Sequence, residues 1–210
     1  MRLSVCALAA AAAVLAASPA LACKGKTVLF EDNFASGGDS GWELWEQIKI
    51  EGGAMKITAT PGHIAPVFYK GDTYDKADIC ADAVTPSGND PKNEGIASLL
   101  FEGQAYDDFY AFYVSPRFGK AGIARLFKTK WLYPMPFRSV EGINAQPGGI
   151  NTLRVTLDGA HATAYVNDHK IVEVKINAAE GGGFVGLNVD GGESMPVTLL
   201  FKSFKVTDLP

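Results

Sequence analysis

The chain has 210 residues, 19 basic and 23 acidic side chains, three histidines, 23 glycines and a formal charge of −4, an ordinary globular composition. That balance excludes a disordered or collagen-like chain. It also argues against a binder of nucleic acid or of anionic membrane, which needs a basic surface to displace counterions.

Arg2 opens an apolar run from Val5 to Ala17, and Pro19 precedes the triplet Ala20-Leu21-Ala22, the small-x-small pattern of a cleavage site. Residues 1–22 therefore read as a cleaved export signal, which predicts a periplasmic or extracellular protein. The uncharged span from Leu3 to Cys23 is also long enough for a retained anchor. Its alanines are weakly apolar, however, and Pro19 breaks a helix beside the triplet, which favours cleavage. Cys6 leaves with the signal, so Cys23 and Cys80 are the two remaining thiols. In an oxidising compartment they predict a Cys23–Cys80 disulfide. Lipidation of Cys23, which would tie the protein to a membrane as a lipoprotein, is the alternative; Ala20 stands where such signals usually carry Leu, Val or Ile.

From Cys23 onward the pattern is β. Runs of β-branched and aromatic residues, bounded by Gly, Pro, Asn and Asp, predict strands over 27–34, 47–51, 54–60, 64–70, 77–84, 95–102 and 107–115. They continue over 123–130, 151–157, 161–167, 170–174, 183–190 and 196–207. Asp158-Gly159 and Asn167-Asp168 are hairpin turns, because Gly, Asn and Asp tolerate a positive φ, and they make three consecutive strands antiparallel. Leu153, Val155 and Leu157 face inward while Thr152, Arg154 and Thr156 face out. The apolar phase slips between Phe201 and Phe204, which predicts a bulge near Lys202-Ser203. So many short strands without a repeat or linker predict a single all-β domain over 23–210, a jelly-roll β-sandwich of two antiparallel sheets.

The segments "LFEDNF", "IKIEGGAMKI", "DDFYAFYV", "NTLRVTLDGAHATAYVNDHKI", "GGFVGLNV" and "FKSFKVTDL", in that order, resemble the concanavalin A-like, laminin-G-like jelly-roll superfamily over nearly all of 26–208. That superfamily spans lectins, glucanases, sugar-active periplasmic enzymes and adhesive modules, so the resemblance implies an architecture and no single reaction. Its laminarinase-type hydrolases carry an E-x-D-x-(x)-E run on one strand, and this chain has none. The nearest arrangement, Asp78-x-Cys80-x-Asp82, separates its carboxylates by about 13 Å at the rise of a strand. Glycosidase pairs need about 5 to 9.5 Å. Asp78 and Asp82 therefore read as a solvated strand face. Asp107 and Asp108 alternate to opposite faces, and Glu43 and Glu46 flank a Trp-containing turn. His63, His161 and His169 have no ligand-like spacing, and no nucleophile elbow, phosphate loop or dinucleotide motif is present.

Two features point to ligands. No Asp or Glu lies between Phe109 and Val140, where six basic residues stand among aromatics; Tyr113, Arg125, Phe127 and Trp131 are the candidate ligand-binding residues, with Arg125, Phe127 and Trp131 on one face of a regular strand. Aromatic faces suit the apolar face of a sugar ring and Arg suits its oxygens. The resemblance also implies a structural calcium ion, held by Asp32, Gly53 and Asp208, because oxygen ligands suit that ion. The expected function is that of an exported non-catalytic module binding a glycan or other small ligand. The alternatives are a periplasmic sugar-active hydrolase similar to keto-disaccharide hydrolases and a structural or adhesive partner of an envelope protein.

Overall fold

The computed structural model describes residues 23–37, 41–85, 95–193 and 195–210; the export signal of 1–22, with Cys6, lies outside the described residues. The strands are β1 (Val28–Asp32), β2 (Ile48–Glu51), β3 (Ala54–Ala59), β4 (Val67–Tyr74), β5 (Lys76–Val84), β6 (Ile96–Ala105) and β7 (Asp108–Ser115). They continue as β8 (Lys120–Phe127), β9 (Lys130–Ser139), β10 (Ile150–Asp158), β11 (His161–Val166), β12 (His169–Lys175), β13 (Gly183–Asp190) and β14 (Val197–Thr207). They form two antiparallel sheets. One runs β12-β11-β10-β5-β14-β3-β2, with β1 also on β14, and the other runs β4-β13-β6-β7-β8-β9. This is the jelly-roll sandwich.

Strand alternation divides each sheet into an inner and an outer face. Leu99, Phe101, Phe112, Val114, Ile123, Leu187 and Val189 of the six-stranded sheet meet Ile57, Ile79, Leu153, Val155, Leu157, Phe201 and Phe204 of the eight-stranded one in the main core. Truncating one of its fully buried phenylalanines to Ala costs about 3–5 kcal/mol. The predicted inward face of β10 is therefore correct. So is the bulge on β14, where the pairing with β5 steps from Phe201↔Ala83 to Ser203↔Asp82 and leaves Lys202 unpaired. Asn167 and Asp168 both take positive φ in the β11–β12 turn.

One strand has no counterpart in the predicted set. β9 contains Pro134 and Pro136 and is the edge of its sheet, a position where proline costs no central ladder bond. Its pairing with β8 runs from Arg125↔Leu132 through Ile123↔Met135 to Ala121↔Arg138, so β9 gains one residue at each step. Both prolines sit within these bulges. Consequently the strand predicted over 123–130 stops at Phe127, and Lys128-Thr129, both at positive φ, turn the chain back.

The disulfide is formed. Cys23 and Cys80 are bonded with their Cα atoms 5.6 Å apart, which lays the start of the described chain across the outer face of β5.

Candidate functional site

The outer face of the six-stranded sheet is hollow in the middle because its central residues are small. Ser98 of β6, Ala111 of β7 and Ala124 of β8 form the floor, and the Tyr113 ring lies over Gly122 of β8. Gly122 is required there: a Cβ would lie 2.6 Å from the ring of Tyr113, which spreads across it. The result is a cleft of about 390 Å³.

Its two sides differ in chemistry. On the β9 side stand Trp131, Tyr133 and Phe137. Trp131 is held by the edge of Phe109, ring centroids 6.2 Å apart, yet remains 38% exposed, and Phe137 packs on Tyr113 at 5.2 Å. On the β13 side, Asn188 donates through Nδ2 to Ser98 Oγ (3.3 Å) and Asp190 Oδ1 (3.0 Å). Asn188 Oδ1 and the Tyr113 hydroxyl are buried in the cleft lining without a partner. Burial first, then the nearby Tyr133 and Asp190, push the Tyr113 phenol up to about 12, so it remains a donor at neutral pH. Beyond β13 the segment 61–66 closes this side. It is tied on by Gly62 N to Gly192 O, Gly191 N to His63 O and Ala65 N to Val189 O. His63 Nδ1 donates to Pro61 O at 2.8 Å. Past Ile64 lies a second hollow of about 200 Å³ beside Trp45 and Tyr106.

The predicted ligand residues divide. Tyr113 and Trp131 line the cleft, whereas Arg125 and Phe127 do not. The turn at Lys128-Thr129 sets Leu126, not Arg125, opposite Trp131, so Arg125 shares the inward parity of Ile123. There it donates to Asp108 Oδ1 at 3.0 Å through Nη2 and lies over the rings of Tyr110 and Phe127. The expectation that Arg125, Phe127 and Trp131 share one face is thus corrected, because it required an unbroken strand. Asn188, Asp190, Ser98, Tyr133 and Phe137 are additions. The β13 pair was readable, since Asn188 and Asp190 alternate with Val185, Leu187 and Val189.

Asp78 and Asp82 are not a solvated face. Asp78 is fully buried, with its Oδ1 accepting from Arg154 Nε at 2.7 Å and its Oδ2 from Lys24 N at 2.8 Å. Arg154 in turn lies over the Tyr165 ring at 4.6 Å. Asp82 accepts from Thr152 Oγ1 (2.6 Å) and Ser203 Oγ (2.9 Å).

The expected calcium ligands do not converge. Asp32 pairs with Phe204 on β14, and Asp208 lies four residues further along, about 13 Å at the rise of a strand. The Asp32 oxygens accept from Phe34 N and Trp42 Nε1, and Asp208 Oδ1 accepts from Thr27 N. Gly53 serves the β2–β3 turn at a positive φ. These residues do not fit one ion. Among the described residues, Cys23, Asp78 and Cys80 are the one group of three such side chains within ligating distance of one another, and its two sulfurs are already joined.

The strand order of the two antiparallel sheets is that of a concanavalin A-like jelly roll. No family model matches the chain, and no curated relative matches it. Among solved structures it is similar to the carbohydrate-binding module CBM66 from Bacillus subtilis, 16% identical, with 81% of this chain and 96% of that one covered and a TM-score of 0.61. It is similar also to the β-glucanase of Bacillus licheniformis (12% identity, 85% and 97% covered, TM-score 0.61). A third is the laminarinase catalytic domain of Thermotoga maritima (10% identity, 89% and 100% covered, TM-score 0.60).

Proposed function

We propose that this chain is an exported carbohydrate-binding protein that holds a sugar in the outer-face cleft and does not hydrolyse it. The observation that carries the reading is the opposition of an aromatic wall, Trp131 with Tyr133 and Phe137, to a polar wall of Asn188 and Asp190. A pyranose has an apolar face that stacks on such rings and a rim of hydroxyls that needs donors and acceptors. Tyr113 and Asn188 each offer one unused, buried polar atom for that rim. Binding modules and hydrolases share the fold, and the chemistry of the lining supports the binding reading. Asp190 is the one carboxylate lining the cleft among the described residues, and glycoside hydrolysis calls for two. The buried Cys23–Cys80 bridge supports export to an oxidising compartment.

Calorimetric titration against a panel of soluble neutral and anionic oligosaccharides tests the reading. At least one is expected to bind without being cleaved, and Trp131→Ala to weaken it by about 1–3 kcal/mol while the unfolding midpoint barely moves, since a half-exposed ring leaves no core cavity. Arg125→Ala is expected to leave binding unchanged. Turnover of the bound sugar would replace this reading with the hydrolase one, and failure of every sugar to bind would remove it.

A further inference from the structure

Elsewhere among the described residues Lys24, Lys56, Lys70, Lys170 and Lys205 pair with carboxylates, while Lys49, Lys76, Lys175 and Lys202 are in no ion pair. What sets the region from Phe109 to Val140 apart is its composition. It carries six basic residues and no acidic one. Arg125 borrows Asp108, but Lys120, Lys128 and Lys130 have no carboxylate within ion-pair reach among the described residues.

These three lysines occupy the two ends of one sheet edge. Lys120 pairs with Ser139 at one end of the β8–β9 ladder, and Phe127 pairs with Lys130 at the other. Seven residue steps along β8 put the ends about 23 Å apart. Between them β9 exposes Trp131, Leu132 and Tyr133, the last by 56%. Lys120 Nζ lies 5.8 Å from the ring of Phe137, which lines the cleft, so the positive charge stands at its mouth. Asp190 lies across the sheet on β13.

What this edge accepts is narrowed by its backbone. Pro134 and Pro136 remove two N–H groups and the bulges break the ladder spacing, so another strand cannot add there. The tip of the hairpin is Lys128-Thr129, polar and not an apolar wedge for a lipid surface, and the rings of Trp131 and Tyr133 turn into the cleft.

Resting on the reading of the cleft as a sugar site, we infer that its ligand is a polyanionic glycan lying along β9. Its carboxylate or sulfate groups meet Lys120 at one end and Lys128 and Lys130 at the other, and its ring faces meet Trp131 and Tyr133. Lys130 alternates with Trp131 and Lys128 Nζ lies 5.3 Å from the Phe127 ring, so at that end the chain reaches its cations around the edge of β9.

The test compares a polygalacturonate oligosaccharide with a neutral gluco-oligosaccharide of equal length. At low salt the charged chain is expected to bind at least about tenfold tighter, and most of that preference to vanish at about 0.5 M NaCl, where the screening length falls well below the spacing of the lysines. The triple variant Lys120→Ala, Lys128→Ala, Lys130→Ala is expected to lose the preference at low salt with an unchanged unfolding midpoint, and Trp131→Ala to weaken the charged chain too. Equal binding of both chains, or a preference that survives high salt or the triple variant, overturns the inference and leaves the sugar site standing. Binding of phosphatidylserine vesicles without either sugar overturns both.

Discussion

The two outer faces of the sandwich bury polar groups in opposite ways. On the eight-stranded sheet, Asp78 meets Arg154 and the main chain of Lys24, Asp82 meets Thr152 and Ser203, and the disulfide holds the covering segment in place. Every one of those carboxylates is answered from within the chain. On the six-stranded sheet, small residues open a floor, and Tyr113 and Asn188 keep polar atoms buried with no protein partner. An unanswered buried group costs about 1–3 kcal/mol. One face therefore closes its polar groups within the fold, while the other leaves two buried polar atoms unpaired, the two on which the proposed sugar site draws.

The largest effect expected on the closed face comes from Asp78→Ala. It leaves the Arg154 guanidinium buried without its carboxylate and should lower stability by about 3–5 kcal/mol in denaturant unfolding. The double variant Asp78→Asn, Arg154→Met should recover most of that loss, because well-packed neutral groups replace a desolvated pair about evenly. Sugar binding by the folded fraction should be untouched in both. A loss of binding in either would show that the two faces are coupled.

Opening the disulfide comes next. Cys80→Ser should cost about 2–4 kcal/mol, since the bridge closes a long loop and pins Lys24 over Asp78. Mass spectrometry of the mature protein without reductant should show a chain starting at Cys23 with both sulfurs oxidised. A lipid adduct on Cys23 would remove the bridge.

On the open face the signs reverse. Tyr113→Phe removes a buried hydroxyl that the protein itself does not use, so stability should hold or rise slightly while sugar affinity falls by about 0.5–1.5 kcal/mol. A clear loss of stability would mean that the hydroxyl has a partner in the free protein, and the contrast between the faces would weaken.

The sandwich was legible because its strands alternate locally and their turns carry Gly, Asn or Asp, as at Asp158-Gly159 and Asn167-Asp168. β9 was not, because Pro134 and Pro136 look like breakers until the strand is known to be an edge. The same omission displaced Arg125: Lys128-Thr129 carries none of the usual turn residues, so the reversal that sends Arg125 and Trp131 to opposite faces left no local mark. Asp78 was misjudged for a different reason. Its partner Arg154 is 76 residues away, and only the placement of β10 beside β5 brings them together. Tyr113 and Trp131 could be picked out as aromatics, but the polar wall needed the neighbouring position of β13 and β6.

Glu102 separates the two kinds of unanswered polar atom, and its replacement should have the smallest effect. Its Oε1 is buried without a partner but lines neither hollow, and Oε2 accepts from Ala179 N at 2.8 Å. It sits at a positive φ where Gly183 passes so near that a Cβ there would lie 2.3 Å from the Glu102 Cα. Burial raises its pKa; the Ala179 N–H opposes that, Asp75 adds to it and Arg125 subtracts. A raised carboxyl pKa in the folded state means that the stability it lends is present below the ordinary carboxylate range and is lost as pH climbs through the raised value. Glu102→Gln cannot ionise, so the variant should match the parent near pH 4 and become the more stable of the two toward pH 7, with sugar affinity unchanged throughout. Parallel stability profiles would show that Glu102 has a charge partner when folded. A fall in sugar affinity would instead place Glu102 with Tyr113 and Asn188 in the proposed sugar site.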